Sequence, residues 1–95
     1  MKVEYSERAI SDLNKVAADS RAFGEVVADA VEAHIRDAIG QVAWDPGSAH
    51  EVTQRPGVHV VPLVRFPFAI FYRVLQDRVR ILHVRHTSRL PWKGE

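Results

Sequence analysis

The stretch Phe68-Ala69-Ile70-Phe71-Tyr72-Arg73-Val74-Leu75 constrains this chain more than any other. Apart from Arg73 it carries no charge. A run this short, and this rich in aromatic and β-branched residues, predicts a strand buried on both faces rather than a helix. The polar pair Gln76-Asp77 interrupts it. An extended pattern then resumes over Arg78-Val79-Arg80-Ile81-Leu82-His83-Val84-Arg85-His86. Two such runs around a polar pair predict a β-hairpin. A two- or four-residue loop sets Val74 opposite Val79, Tyr72 opposite Ile81 and Ile70 opposite His83. The other face then pairs Phe71 with Leu82, Ala69 with Val84 and Arg73 with Arg80. Facing arginines repel by a few tenths of a kcal/mol. Either an anion lies between them or one guanidinium turns to solvent.

The rest of the chain supplies a cover for this hairpin. Lys2 to Tyr5 alternates, which predicts a short half-buried strand. Ser6 suits a helix N-cap and Glu7 a first helical turn. Ile10, Leu13, Val16 and Ala17 recur at helical spacing, so a first helix is expected from about residue 7 to residue 18. Asp19 or Ser20 is read as the cap of a second helix over 21–43, with Phe23, Val27, Val31, Ile35 and Ile39 on its apolar stripe. His34 lies beside that stripe as a boundary residue, and Gly40 weakens the last turns. Trp44-Asp45-Pro46-Gly47-Ser48 stops the helix. Residues 49–57 form a polar connection without an assignment. Val58 to Val64 is the next strand, and Pro62 points to an edge or a bulge because it donates no ladder hydrogen bond. The order is β-α-α-β-β-β: an α+β fold, a helical hairpin on a mainly antiparallel sheet, in one domain over 1–95.

Charge and composition narrow the functions open to such a fold. The net charge of +1 hides an asymmetry. Residues 1–50 hold 5 Lys/Arg against 9 Asp/Glu, a balance of −4, and residues 51–95 hold 8 against 3, a balance of +5. The C-terminal half therefore offers a basic surface to an anionic partner, although the total argues against a strong non-specific DNA binder. Without cysteine there is no disulfide framework and no thiolate metal site, which fits a cytoplasmic location. The N-terminus lacks the apolar core of a signal peptide, and no run approaches membrane-spanning length. There is no Gly-rich phosphate loop. His83 and His86 are an odd number apart, so they do not share a strand face, and no metal or cofactor is expected. Arg65, Arg73, Arg80, Arg85, His86 and Arg89 surround or end the hairpin. Arginines clamp phosphate and histidine moves protons, which is the chemistry of RNA strand cleavage by a neighbouring 2′-hydroxyl. The same set also suits binding without chemistry.

Two strings in this region resemble a known family. They are Arg65-Phe66-Pro67-Phe68-Ala69-Ile70-Phe71-Tyr72-Arg73-Val74 and Ile81-Leu82-His83-Val84-Arg85-His86-Thr87-Ser88-Arg89. Both are similar to the ParE/RelE toxin superfamily, and the element order matches its architecture. The resemblance implies the toxin of a bacterial type II toxin–antitoxin pair, held inactive by a small cognate antitoxin that wraps its helices and sheet. ParE-like members poison DNA gyrase; RelE-like members cleave mRNA on the ribosome. The H-x-x-R ending, His86 to Arg89, fits the ParE pattern better, and the Lys/Arg cluster of the RelE-like ribonucleases is incomplete. On the ParE-like reading, Arg65, Arg80, Arg85, His86 and Arg89 bind the target. On the RelE-like alternative, His86 is the acid and Arg65 and Arg73 are the phosphate clamps.

Overall fold

The computed structural model describes residues 1–87. A five-stranded sheet forms one layer and a helical hairpin the other. The strands are β1 (Lys2–Tyr5), β2 (His50–Glu51), β3 (Val58–Pro62), β4 (Phe68–Val74) and β5 (Arg78–His86), and the helices are α1 (Glu7–Arg21) and α2 (Glu25–Trp44). The sheet order is β1-β5-β4-β3-β2. β1 runs parallel to β5, and the other neighbours are antiparallel.

β4 and β5 lie inside this sheet, which explains the aromatic run. Ala69, Ile70, Phe71 and Tyr72 are all buried, so both faces of β4 are covered. Ile70 and Tyr72 face the helices with Val79, Ile81 and Val84, and they meet Val16, Val31, Ile35, Ile39 and Val42. Each such side chain, fully buried, contributes roughly 1.5–3 kcal/mol. Ala69 and Phe71 point to the other face, where they pack with Val58 and Leu82 in a second, smaller cluster. The Tyr72 hydroxyl donates to Pro46 O at 2.6 Å, so the connection after α2 is fastened to the sheet by a core residue.

Ser6 caps α1: its side-chain oxygen accepts from the Ala9 N–H at 3.0 Å. The boundary between the helices differs from the sequence reading. α1 continues to Arg21, and the break falls at residues 22–24. Ser20 is buried against the core instead of capping α2. Gly24 takes that role with φ of 101°, a left-handed value that L side chains avoid. The unassigned connection contains β2, a two-residue strand on the outer edge of β3. β3 ends at Pro62, not Val64. The Leu63 N–H donates to Phe68 O at 2.8 Å, which leaves the missing N–H of Pro62 on the side away from β4.

The hairpin register holds for half its length. Val74 pairs with Val79, Arg73 with Arg80 and Tyr72 with Ile81, as expected. Beyond them Phe71 pairs with His83, Ile70 with Val84 and Ala69 with Arg85. Leu82 is the extra residue of a β-bulge. The expected pairings Ile70–His83, Phe71–Leu82 and Ala69–Val84 are therefore displaced by one.

Candidate functional site

The bulge decides which functional side chain points where. In a regular strand His86 would lie on the same face as Arg80, and Arg85 would point toward the helices. One extra residue exchanges them. Arg85 now pairs with Ala69 on the helix-free face, which also carries Arg73 and Arg80. His86 pairs with Phe68 and meets its ring edge-on at 5.3 Å, on the helix-facing side.

The helix-free face thus bears a stripe of arginines. Arg73 and Arg80 are directly opposed near the hairpin turn. Their repulsion is eased by direction: an Arg73 Nη1 lies against Gly57, 2.7 Å from where a Cβ would stand there, while Arg80 is exposed. Gly57 has φ of 83°, so both its backbone and the guanidinium above it call for glycine. Arg85 extends the stripe toward the other end of β5. Arg78 is tied down separately, its Nε donating to Glu4 at 2.7 Å and its Nη1 to Asp77 at 2.8 Å. The hydrogen bond from Arg78 holds the Glu4 carboxyl below its ordinary range, and Glu4 in turn raises Arg78.

On the opposite side a groove of about 910 Å³ opens between the helices and the far end of the hairpin. Val16, Phe23, Val27, Phe66 and Phe68 supply its apolar lining, and its polar border sets Arg8, Lys15, Arg85 and His86 beside Asp12 and Asp19. Phe23 and Val26, at the turn between the helices, are 76% and 84% exposed, an apolar surface beside the groove. A smaller cleft of about 370 Å³ runs between the helices, and none of the arginines or histidines proposed as site residues lines it.

The three residues of the RelE-like alternative are not assembled. Arg73 is on the helix-free face and His86 on the other. The strand between Arg73 and Phe68, the partner of His86, spans about 16 Å at 3.3 Å per residue. Arg65 is exposed in the β3–β4 connection, at the His86 end of the hairpin. Arg89 lies outside the described residues. Sequence reasoning missed Asp12. Its Oδ2 accepts from the Val84 N–H at 3.0 Å and lies 2.5 Å from His83 Nδ1, and its Oδ1 accepts from Arg8 Nε at 3.3 Å. His83 is buried, with its ring stacked on Phe71 at 5.8 Å. Among the described residues no group of three potential metal ligands gathers, and no helix is long and apolar enough to cross a membrane.

Comparison with known proteins agrees with this architecture. A chain of the chromosomal ParDE TA system from P. aeruginosa has a TM-score of 0.76 at 22% identity, over 90% of this chain and 95% of that one. A chain of the intact E. coli RelBE toxin–antitoxin complex has a TM-score of 0.67 at 18% identity, over 93% and 98%. The RelBE2 complex of Mycobacterium tuberculosis gives 0.57 at 24%, over 90% and 95%. No curated protein matches the sequence. Residues 3–91 match the family described as the ParE toxin of the type II toxin–antitoxin system parDE. With two helices on a five-stranded mixed sheet and a family match over nearly its whole length, this chain belongs to the ParE toxins of type II toxin–antitoxin systems.

Proposed function

We propose that this toxin acts by binding, inhibiting DNA gyrase through the arginine face of its sheet, and that a cognate antitoxin neutralises it from the groove. The observation that carries this reading is the separation of His86 from Arg73 by the sheet. Proton transfer and phosphate clamping at one scissile bond need both groups within hydrogen-bond reach of it. The stripe of Arg73, Arg80 and Arg85 instead suits an extended anionic surface. Arg65 and Arg89 are further target contacts on this reading. His86, on the groove side, meets the antitoxin. The apolar lining, bordered by Arg8, Lys15 and Arg85 against Asp12 and Asp19, suits an amphipathic segment that bears carboxylates among its polar residues.

The test runs a gyrase supercoiling assay beside a translation-coupled mRNA cleavage assay. The purified protein should block supercoiling and leave translated mRNA intact. Arg80→Ala with Arg85→Ala should raise the concentration needed for inhibition at least tenfold, while His86→Ala should weaken antitoxin binding and spare inhibition. The arginine stripe also supports a second reading, ribosome-dependent RNA cleavage. Codon-phased cuts lost on His86→Ala or Arg65→Ala would establish that reading and overturn the first.

A further inference from the structure

The bulge at Leu82 is held from outside the hairpin. β1 ends at Tyr5, opposite Ile81, so among the described residues no strand lies beside that edge of β5 beyond this point. Ser6 and α1 take over. The Ser6 N–H donates to Ile81 O at 2.9 Å, and the Ser6 hydroxyl donates to Leu82 O at 2.9 Å while capping α1. One turn and a half further on, Asp12 accepts the Val84 N–H at 3.0 Å. The carbonyl on one side of the irregular step and the amide on the other are thus both taken by the same helix. Asp12 is only 15% exposed and also holds His83 by Nδ1, so the first residue after the bulge is fixed on the Phe71 side. An irregularity of this kind re-aims the side chains that follow it. Here the re-aimed residues are Arg85 and His86.

We infer that Asp12, assisted by Ser6, is the positioning residue that locks the β5 bulge, pairing Arg85 with Ala69 on the arginine face and His86 with Phe68 on the helix-facing side. The functional half of this inference rests on the proposal that the arginine face meets the target. Asp12 touches no target on this reading; it acts through the strand. Loss of its carboxylate removes the acceptor of the Val84 amide and the Nδ1 partner of the His83 ring together. The strand then exchanges between the bulged register and the regular one, in which Arg85 faces the helices.

Amide hydrogen exchange and cross-strand NMR contacts in the full chain, read beside gyrase inhibition, test this. In Asp12→Ala the Val84 amide should exchange at least tenfold faster than in the parent, with the Val79 amide unchanged. The Phe71–His83 contact should weaken, and inhibition should fall about as far as in Arg85→Ala. Asp12→Asn, which keeps an acceptor oxygen, should recover most of the contact and most of the inhibition. A Val84 rate and a Phe71–His83 contact equal to the parent's in Asp12→Ala would overturn the inference. Should Asp12→Ala not fold, Asp12→Asn decides alone: its weaker acceptor raises the Val84 rate several-fold, and an unchanged rate overturns the inference. If Arg85→Ala leaves gyrase inhibition untouched, the target-face reading fails while the register measurement still stands or falls by itself.

Discussion

Replacing Tyr72 by phenylalanine removes one oxygen atom from a fully buried side chain and leaves its shape intact. The ring keeps its stack on His59, 5.2 Å away and 15° from parallel. What is lost is the 2.6 Å hydrogen bond to Pro46 O. A neutral hydrogen bond contributes about 1 kcal/mol net, and a buried acceptor left without its donor brings the loss to about 1–3 kcal/mol. Pro46 is half-buried, so water reaches part of it and the loss should be about 1–2 kcal/mol. For a domain of this size that is a fall in Tm of roughly 4–16 °C. pH supplies the second half of the test. Burial pushes the Tyr72 phenol above its ordinary value of 10.0. The folded value is the raised one, so its contribution is complete below pH 10 and is lost as pH rises beyond it, because the unfolded chain ionises first. Tyr72→Phe lacks that ionisation. Urea unfolding followed by circular dichroism at pH 7 and from pH 9 to 11 should therefore show a lower midpoint for the variant at pH 7, equal m-values, and a gap that closes above pH 10. Equal midpoints at pH 7, or a gap that stays constant to pH 11, would refute the reasoning.

Other substitutions separate the remaining physical claims. Gly40→Ala places a Cβ in open space on α2 and should stabilise by about 0.5–1 kcal/mol in the same urea experiment. Gly57→Ala should destabilise by roughly 1–2 kcal/mol, since φ is 83° and the new Cβ meets Arg73 Nη1 at 2.7 Å. Ile81→Ala, at the centre of the main core, should cost about 2–5 kcal/mol in urea midpoint terms. Glu4→Gln should flatten the acid limb of stability: the lowered carboxyl of Glu4 stabilises above its ordinary 4.5, and that contribution is lost as pH falls through the folded value. A pH titration of the unfolding midpoint, parent against variant, reads this directly.

The parts of the fold written in local pattern were legible in the sequence. The apolar run of β4, the polar pair before β5 and the alternation of β1 each carry their own signal, and the hairpin register near the turn follows from loop length. The bulge carries none. It is imposed by Ser6 and Asp12, remote residues whose side chains reach the strand only after the sheet has formed. For that reason the regular register placed His86 beside Arg80, where the structure places Arg85. The helix boundary was misread because Ser20 has the chemistry of a cap and the burial of a core residue; Gly24, four positions on, was the signal available. β2 is two exposed residues, too short for any periodicity. The candidate site was legible as an inventory of arginines and a histidine, but their division between two faces was not.

The parallel contact between β1 and β5 has a consequence for synthesis. The Ser6 hydroxyl and its acceptor on Leu82 are 76 residues apart along the chain. A nascent chain therefore holds its first strand without a pairing partner until β5 leaves the ribosomal exit tunnel. Contacts this distant in sequence close late and slowly. No fragment that stops short of β5 carries a finished groove or arginine face.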